Sequence, residues 1–127
     1  MREWQLPVTI LIVDDEPRII ELARLILEKR GFSVLAAKDG VEAFQKVEQQ
    51  SPDLIFLDLV MPGISGIEVC KILKSRVSTR SIPVVIFTVL GSETERNQAQ
   101  AAHCDGYLLK PFTPASLMAE VEKHVKP

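Results

Sequence analysis

Apolar residues along this chain follow two alternating rhythms. Short, nearly continuous apolar runs occur at VTILIV from Val8, FSVLAA from Phe32, DLIFLD from Asp53, IPVVIFT from Ile82 and CDGYLLK from Cys104. Runs of this length, rich in branched residues, predict strands buried on both faces, as in a parallel sheet. Between them apolar positions recur at helical spacing. Ile19, Ile20, Ala23, Ile26 and Leu27 form a first stripe that Gly31 ends, and Val41, Phe44 and Val47 form a second after Asp39. Ser65-Gly66-Ile67-Glu68 and Ser92-Glu93-Thr94-Glu95 match the capping box, in which Ser and Glu each satisfy an orphan backbone donor. Thr113-Pro114 opens a last helix with Pro at its first position. Strands alternating with helices predict an α/β fold: a doubly wound, five-stranded parallel sheet with helices on both faces.

The 127 residues, 46% hydrophobic and 25% charged, suffice for one ordinary domain with a real core. Five βα units use nearly the whole length, so residues 1–127 read as a single domain, with 1–7 as an N-terminal extension and no second domain. No apolar run approaches the roughly 18 residues of a membrane span. MREWQLP also lacks the charged-then-apolar layout of a secretory signal, so a cytoplasmic protein without a membrane partner is expected. Fifteen Lys plus Arg against seventeen Asp plus Glu give a net charge of -2 with no basic block, which argues against direct nucleic-acid binding. Cys70 and Cys104 form no CxxC and read as small buried apolar residues. His103 and His124 have no metal-ligand spacing; His103 falls where a helix should end in left-handed backbone.

The unusual polar residues all stand at strand ends. Asp14 and Asp15 follow the first strand, and Asp58, Thr88 and Lys110 end the third, fourth and fifth. In a parallel sheet these ends line one edge, where open α/β sheets bind ligands. Each has an ordinary structural role available: Asp15 as a helix cap, Asp58 before a Pro-Gly turn, Thr88 as a strand former, Lys110 as a solvated end. Their convergence points instead to chemistry. Two carboxylates about 4 Å apart repel by roughly 4 kcal/mol at an effective dielectric near 20, so the acidic group needs counter-charge. Lys110 supplies one positive charge, and Mg²⁺, which takes one or two carboxylates plus waters and phosphate oxygens, supplies the rest. A metal held by Asp14 and Asp15 beside a further carboxylate is a site for making an acyl phosphate. Asp58 is then the nucleophile, Lys110 pairs with a phosphoryl oxygen and the Thr88 hydroxyl bonds another.

The Asp pair in LIVDDEP, the Asp in DLIFLDLVMPGISG, the Thr in VVIFT and the Lys-Pro in GYLLKPF together resemble the receiver domain of two-component response regulators, in its chemotaxis-receiver-like form. The resemblance spans essentially the whole chain. It implies the flavodoxin-like strand order 2-1-3-4-5 and a phosphoryl group accepted by Asp58 from a phosphohistidine on a sensor histidine kinase or a histidine phosphotransfer protein. It implies too that the Val60 backbone carbonyl joins the metal ligands, Asp58 among them, and that Lys110-Pro111 is a cis peptide. The resemblance further implies that Thr88 then moves toward the phosphate and Tyr107 turns inward. These movements remodel the surface of the fourth helix, fifth strand and fifth helix, which a downstream protein target or an output domain outside this chain recognises. Such a domain catalyses only its own phosphorylation and dephosphorylation. The residues alone read Tyr107 as an amphipathic edge-strand residue with its hydroxyl in water.

Val89 stands after Thr88 where the family mostly has a small residue, His103-Cys104 replaces the usual Gly-Ala, and Val60 and Leu90 are apolar where side chains often influence hydrolysis. A phosphohydrolase of the haloacid dehalogenase type resembles D-x-D at its nucleophile, whereas Asp58-Leu59-Val60 lacks the second acid. An interaction module without phosphorylation does not need the five polar residues. A flavodoxin-type cofactor domain needs a phosphate-cradling loop after the first strand, and a P-loop needs GxxxxGK; neither occurs.

Overall fold

The structure, a computed structural model, describes residues 7–125, so residues 1–6 of the expected extension lie outside the described residues. Five strands alternate with five helices: β1 (Thr9–Val13), α1 (Pro17–Lys29), β2 (Ser33–Ala37), α2 (Gly40–Gln49), β3 (Leu54–Leu57), α3 (Gly66–Ser75), β4 (Val84–Thr88), α4 (Glu93–Ala101), β5 (Gly106–Leu109) and α5 (Pro114–His124). All neighbours pair in parallel and the order is β2-β1-β3-β4-β5. Each strand lies within two residues of its expected bounds.

Strand alternation divides the core in two. Leu11, Val13, Ile55, Leu57, Val84 and Ile86 face α2, α3 and α4, while Ile10, Ile12, Phe56, Val85 and Phe87 face α1 and α5. On α1 the expected stripe holds: Ala23 and Leu27 are buried, with Ile19, Ile20 and Ile26 packed beside them. On α2 it is corrected, because Val41 is 64% exposed and the buried residues are Gly40, Ala43 and Val47. Gly40 sets this rotation: a Cβ there would lie 2.2 Å from Ile64 Cγ2, so only glycine lets the helix start press against that side chain.

Capping also differs from expectation. Ser65 and Ser92 accept from the Glu68 and Glu95 N–H groups, but the Glu95 carboxylate accepts the Ser92 hydroxyl proton instead of reaching back to its backbone. Among the described residues the reciprocal box closes at Thr113 and Ser116. His103, at φ 65, ends α4 in left-handed backbone as expected. Cys70 is fully buried, and burial pushes its thiol up to about 11. Cys104 is only partly buried, against the same core.

At the amino edge of the sheet, Lys74 Nζ donates to the carboxylate of Asp105 at 2.7 Å and to the Ile82 carbonyl at 2.8 Å. The same Asp105 oxygen accepts from the Val84 N–H at 2.8 Å. The end of α3 and the entries to β4 and β5 thereby share one knot, with the Lys74 side chain largely covered and Asp105 exposed.

Candidate functional site

Alternation also decides what reaches the carboxyl edge. Asp14 continues the Ile12 side of β1, Asp58 the Phe56 side of β3 and Lys110 the Leu108 side of β5, so all three leave the sheet on the α1 and α5 face. There the Lys110 ammonium donates to Asp14 Oδ2 and, at 3.1 Å, to Asp58 Oδ2. The other oxygen of each carboxylate is held by its own loop: Asp14 Oδ1 accepts from the Glu16 N–H at 2.9 Å, and Asp58 Oδ1 from the Val60 N–H at 3.3 Å. Asp14 and Asp58 are buried, and the Lys110 side chain is 9% exposed.

Asp15 completes an acidic triad. One oxygen from each of Asp14, Asp15 and Asp58 lies within 4.8 Å of the others. The donors are all hard oxygens, one lysine faces three carboxylates, and Asp15 is exposed, so the set fits Mg²⁺ with open positions for water and phosphate. Burial pushes the Asp14 carboxyl above its ordinary value, with the Lys110 hydrogen bond and charge pulling it partly back. Asp15 does not cap α1: the N-cap is Glu16, with no side-chain cap bond, because the chain turns on Asp14.

These groups line an open cleft of about 450 Å³, together with Val60, Val89 and Pro111. The Lys110–Pro111 peptide is cis, as the resemblance implies. Thr88 is placed differently from the rest. Alternation puts it with Ile86 on the opposite face of β4, where it is fully buried and its hydroxyl oxygen accepts from the Leu90 N–H at 3.3 Å. Leu90 lines a separate groove with Ile67, Glu95 and Gln98, while Val60 borders both.

Tyr107 departs from the reading that put its hydroxyl in water. The hydroxyl donates to the Leu90 carbonyl at 2.6 Å, and Arg96 of α4 covers the ring at 4.6 Å. Burial raises the phenol above its ordinary value, opposed by the Arg96 charge. One residue escaped the sequence reading altogether: the ring of Phe87 lies 4.9 Å from Lys110 Nζ. The available signal was its position one residue before Thr88, hence on the face that Asp14 and Asp58 share.

The family model described as the response regulator receiver domain matches residues 10–122. The chain belongs to this family. Over 113 residues the receiver domain is 40% identical to the phosphate regulon transcriptional regulatory protein PhoB of Rhizobium meliloti, covering 89% of this chain and 50% of that protein. It is 41% identical to the transcriptional regulatory protein ResD of Bacillus subtilis, covering 89% of this chain and 46% of that one. It thus spans about half the length of these curated relatives. Among solved structures, the receiver domain is similar to chemotaxis protein CheY4 of Vibrio cholerae, with a TM-score of 0.90 at 28% identity, covering 94% of this chain and all of the other. Among the described residues no helix is long and apolar enough to cross a membrane.

Proposed function

We propose that this receiver domain, residues 1–127, is a cytoplasmic switch that takes a phosphoryl group onto Asp58 from a phosphohistidine of a sensor histidine kinase or a histidine phosphotransfer protein. The observation that carries the reading is the Lys110 ammonium bridging Asp14 and Asp58, with Asp15 completing the acidic triad. Asp14, Asp15, Asp58 and the Val60 backbone carbonyl would hold Mg²⁺, which neutralises phosphoryl oxygens when bound. An Asp58 oxygen forms the new P–O bond as the P–N bond of the donor breaks. The electron pair stays on the imidazole nitrogen, which then takes a proton from solvent. Lys110 exchanges its Asp58 contact for a phosphoryl oxygen and remains paired with Asp14. Loss of the group by hydrolysis is the only other reaction the domain runs.

Thr88 must turn from the Leu90 N–H to reach a phosphoryl oxygen, and that N–H belongs to the residue whose carbonyl holds Tyr107. Phosphorylation read by Thr88 therefore reaches Tyr107 and Arg96 through Leu90, and so the α4, β5 and α5 surface that a downstream protein target or output domain contacts. Incubation with Mg²⁺ and acetyl phosphate, followed by mass spectrometry, tests the assignment. One added phosphoryl on Asp58, absent from Asp58→Asn, is expected; a stable label elsewhere overturns it.

A further inference from the structure

Asp14 and Asp58 account for the charge of Lys110 but not for what lies behind it. We propose that Phe87 is a positioning residue for Lys110, its ring face forming the surface on which the ammonium rests and along which it moves from carboxylate to phosphoryl oxygen. The inference rests on Asp58 as phosphoacceptor. Lys110 Nζ stands 4.9 Å from the ring centroid, and both groups are withdrawn from water, Phe87 fully and the Lys110 side chain to 9%. An ammonium stripped of most of its hydration gains from the negative face of an aromatic ring, more so than at an exposed site.

The ring is itself fixed. Phe56 meets it at 5.8 Å and 71°, and Phe112 at 5.1 Å and 63°, both edge to face. Phe112 lies two residues beyond Lys110, so the loop that carries the lysine also clamps its platform. When Asp58 becomes an acyl phosphate, its negative charge moves outward and Lys110 must follow. A hydrogen bond behind the ammonium would be broken by that shift, because it depends on angle. A ring face attracts the charge over its whole area and keeps hold of it.

The test must separate the face of the ring from its bulk, since Phe87→Leu also disturbs the core. Phe87 is replaced in the full chain by 4-fluoro-, 3,5-difluoro- and 3,4,5-trifluorophenylalanine, which withdraw charge from the ring face at nearly constant shape. Two quantities are followed: Asp58 phosphorylation by acetyl phosphate at saturating Mg²⁺, and, in metal-free protein, the ring-current shift and ¹⁵N line width of the Lys110 side chain. The phosphorylation rate should fall stepwise, reaching roughly tenfold at the trifluoro ring, while the Lys110 resonances broaden in the same order. Equal rates across the series, with Asp58 labelled normally, overturn the proposal. If the unsubstituted chain takes no label on Asp58, it is the proposed function that fails, and the resonances still decide the contact: a graded change supports it and a flat series overturns it.

Discussion

The hydroxyl of Tyr107 and the carbonyl of Leu90 are joined at 2.6 Å, so the edge strand is tied to the loop that enters α4. Tyr107→Phe removes that bond and leaves a half-buried carbonyl without it, at a cost of about 1 kcal/mol. Arg96→Ala uncovers the ring and costs roughly 0.5–1 kcal/mol. The expected outcome in urea unfolding is a double mutant less destabilised than the sum of the singles, since both contacts hold one side chain. Strict additivity would show that the two act independently.

Metal-free stability should carry the signature of Asp14. Its carboxyl is raised in the folded state, so between about pH 3.8 and that raised value the folded protein binds more protons than the unfolded chain. Its stabilising contribution is complete below that value and is lost as pH rises through the folded value. Asp14→Asn retains an acceptor for the Glu16 N–H and does not titrate. In EDTA, the wild type should fall relative to this variant as pH rises, and unfolding midpoints from pH 4 to 7 measure the difference. A wild type that gains on the variant over that range would reverse the argument.

Asp15 separates metal binding from structure. It is exposed, and among the described residues its carboxylate has no hydrogen-bond partner, so Asp15→Asn should leave the metal-free protein within about 0.5 kcal/mol of wild type. Mg²⁺ at a hundred times its dissociation constant should stabilise wild type by about 2.7 kcal/mol, or roughly 10 °C in Tm. Most of that shift should disappear in the variant under calorimetry at the same concentration.

The lifetime of the phosphorylated form should follow the walls of the cleft. Val60 and Val89 are exposed there and offer no hydrogen bond to an attacking water. Val60→Asn should speed loss of the phosphoryl group roughly tenfold, about 1.4 kcal/mol of barrier. Leu90→Glu, whose side chain lines the separate groove, should change it less than about twofold by the same relation. Decay after donor removal, followed by intact mass, distinguishes them.

Gly66 should tolerate no side chain. A Cβ would lie 2.0 Å from the Asp58 carbonyl oxygen and 2.8 Å from Leu59 Cα, both backbone atoms that cannot swing aside. Gly66→Ala is expected to cost about 1–3 kcal/mol and to slow phosphorylation by displacing the Asp58 loop. Denaturant unfolding and labelling rates measured together would test both halves.

Much of this was legible beforehand because strands and strand-end charges are properties of local pattern. The five strands follow from short apolar runs, and the meeting of Asp14, Asp58 and Lys110 follows from parallel topology. Side-chain facing was harder to read. Thr88 and Lys110 end neighbouring strands, yet alternation sends them to opposite faces, so proximity along the sheet edge overstated their contact. Val41 was misplaced because helical period gives a stripe without fixing its rotation, which Gly40 and Ile64 set through tertiary contact. Tyr107 was read as water-facing because its acceptor is a backbone carbonyl 17 residues away, and a backbone carbonyl carries no sequence label.

The Lys74 knot gives the molecule a fulcrum. It pins β4 and β5 where they begin, at the opposite end from Asp58, with Lys74 11% exposed and its three acceptors all within 3.3 Å. A strand anchored at one end and loaded at the other behaves as a lever. Cutting the anchor with Lys74→Met would free these strand starts while leaving the charged groups of the cleft in place.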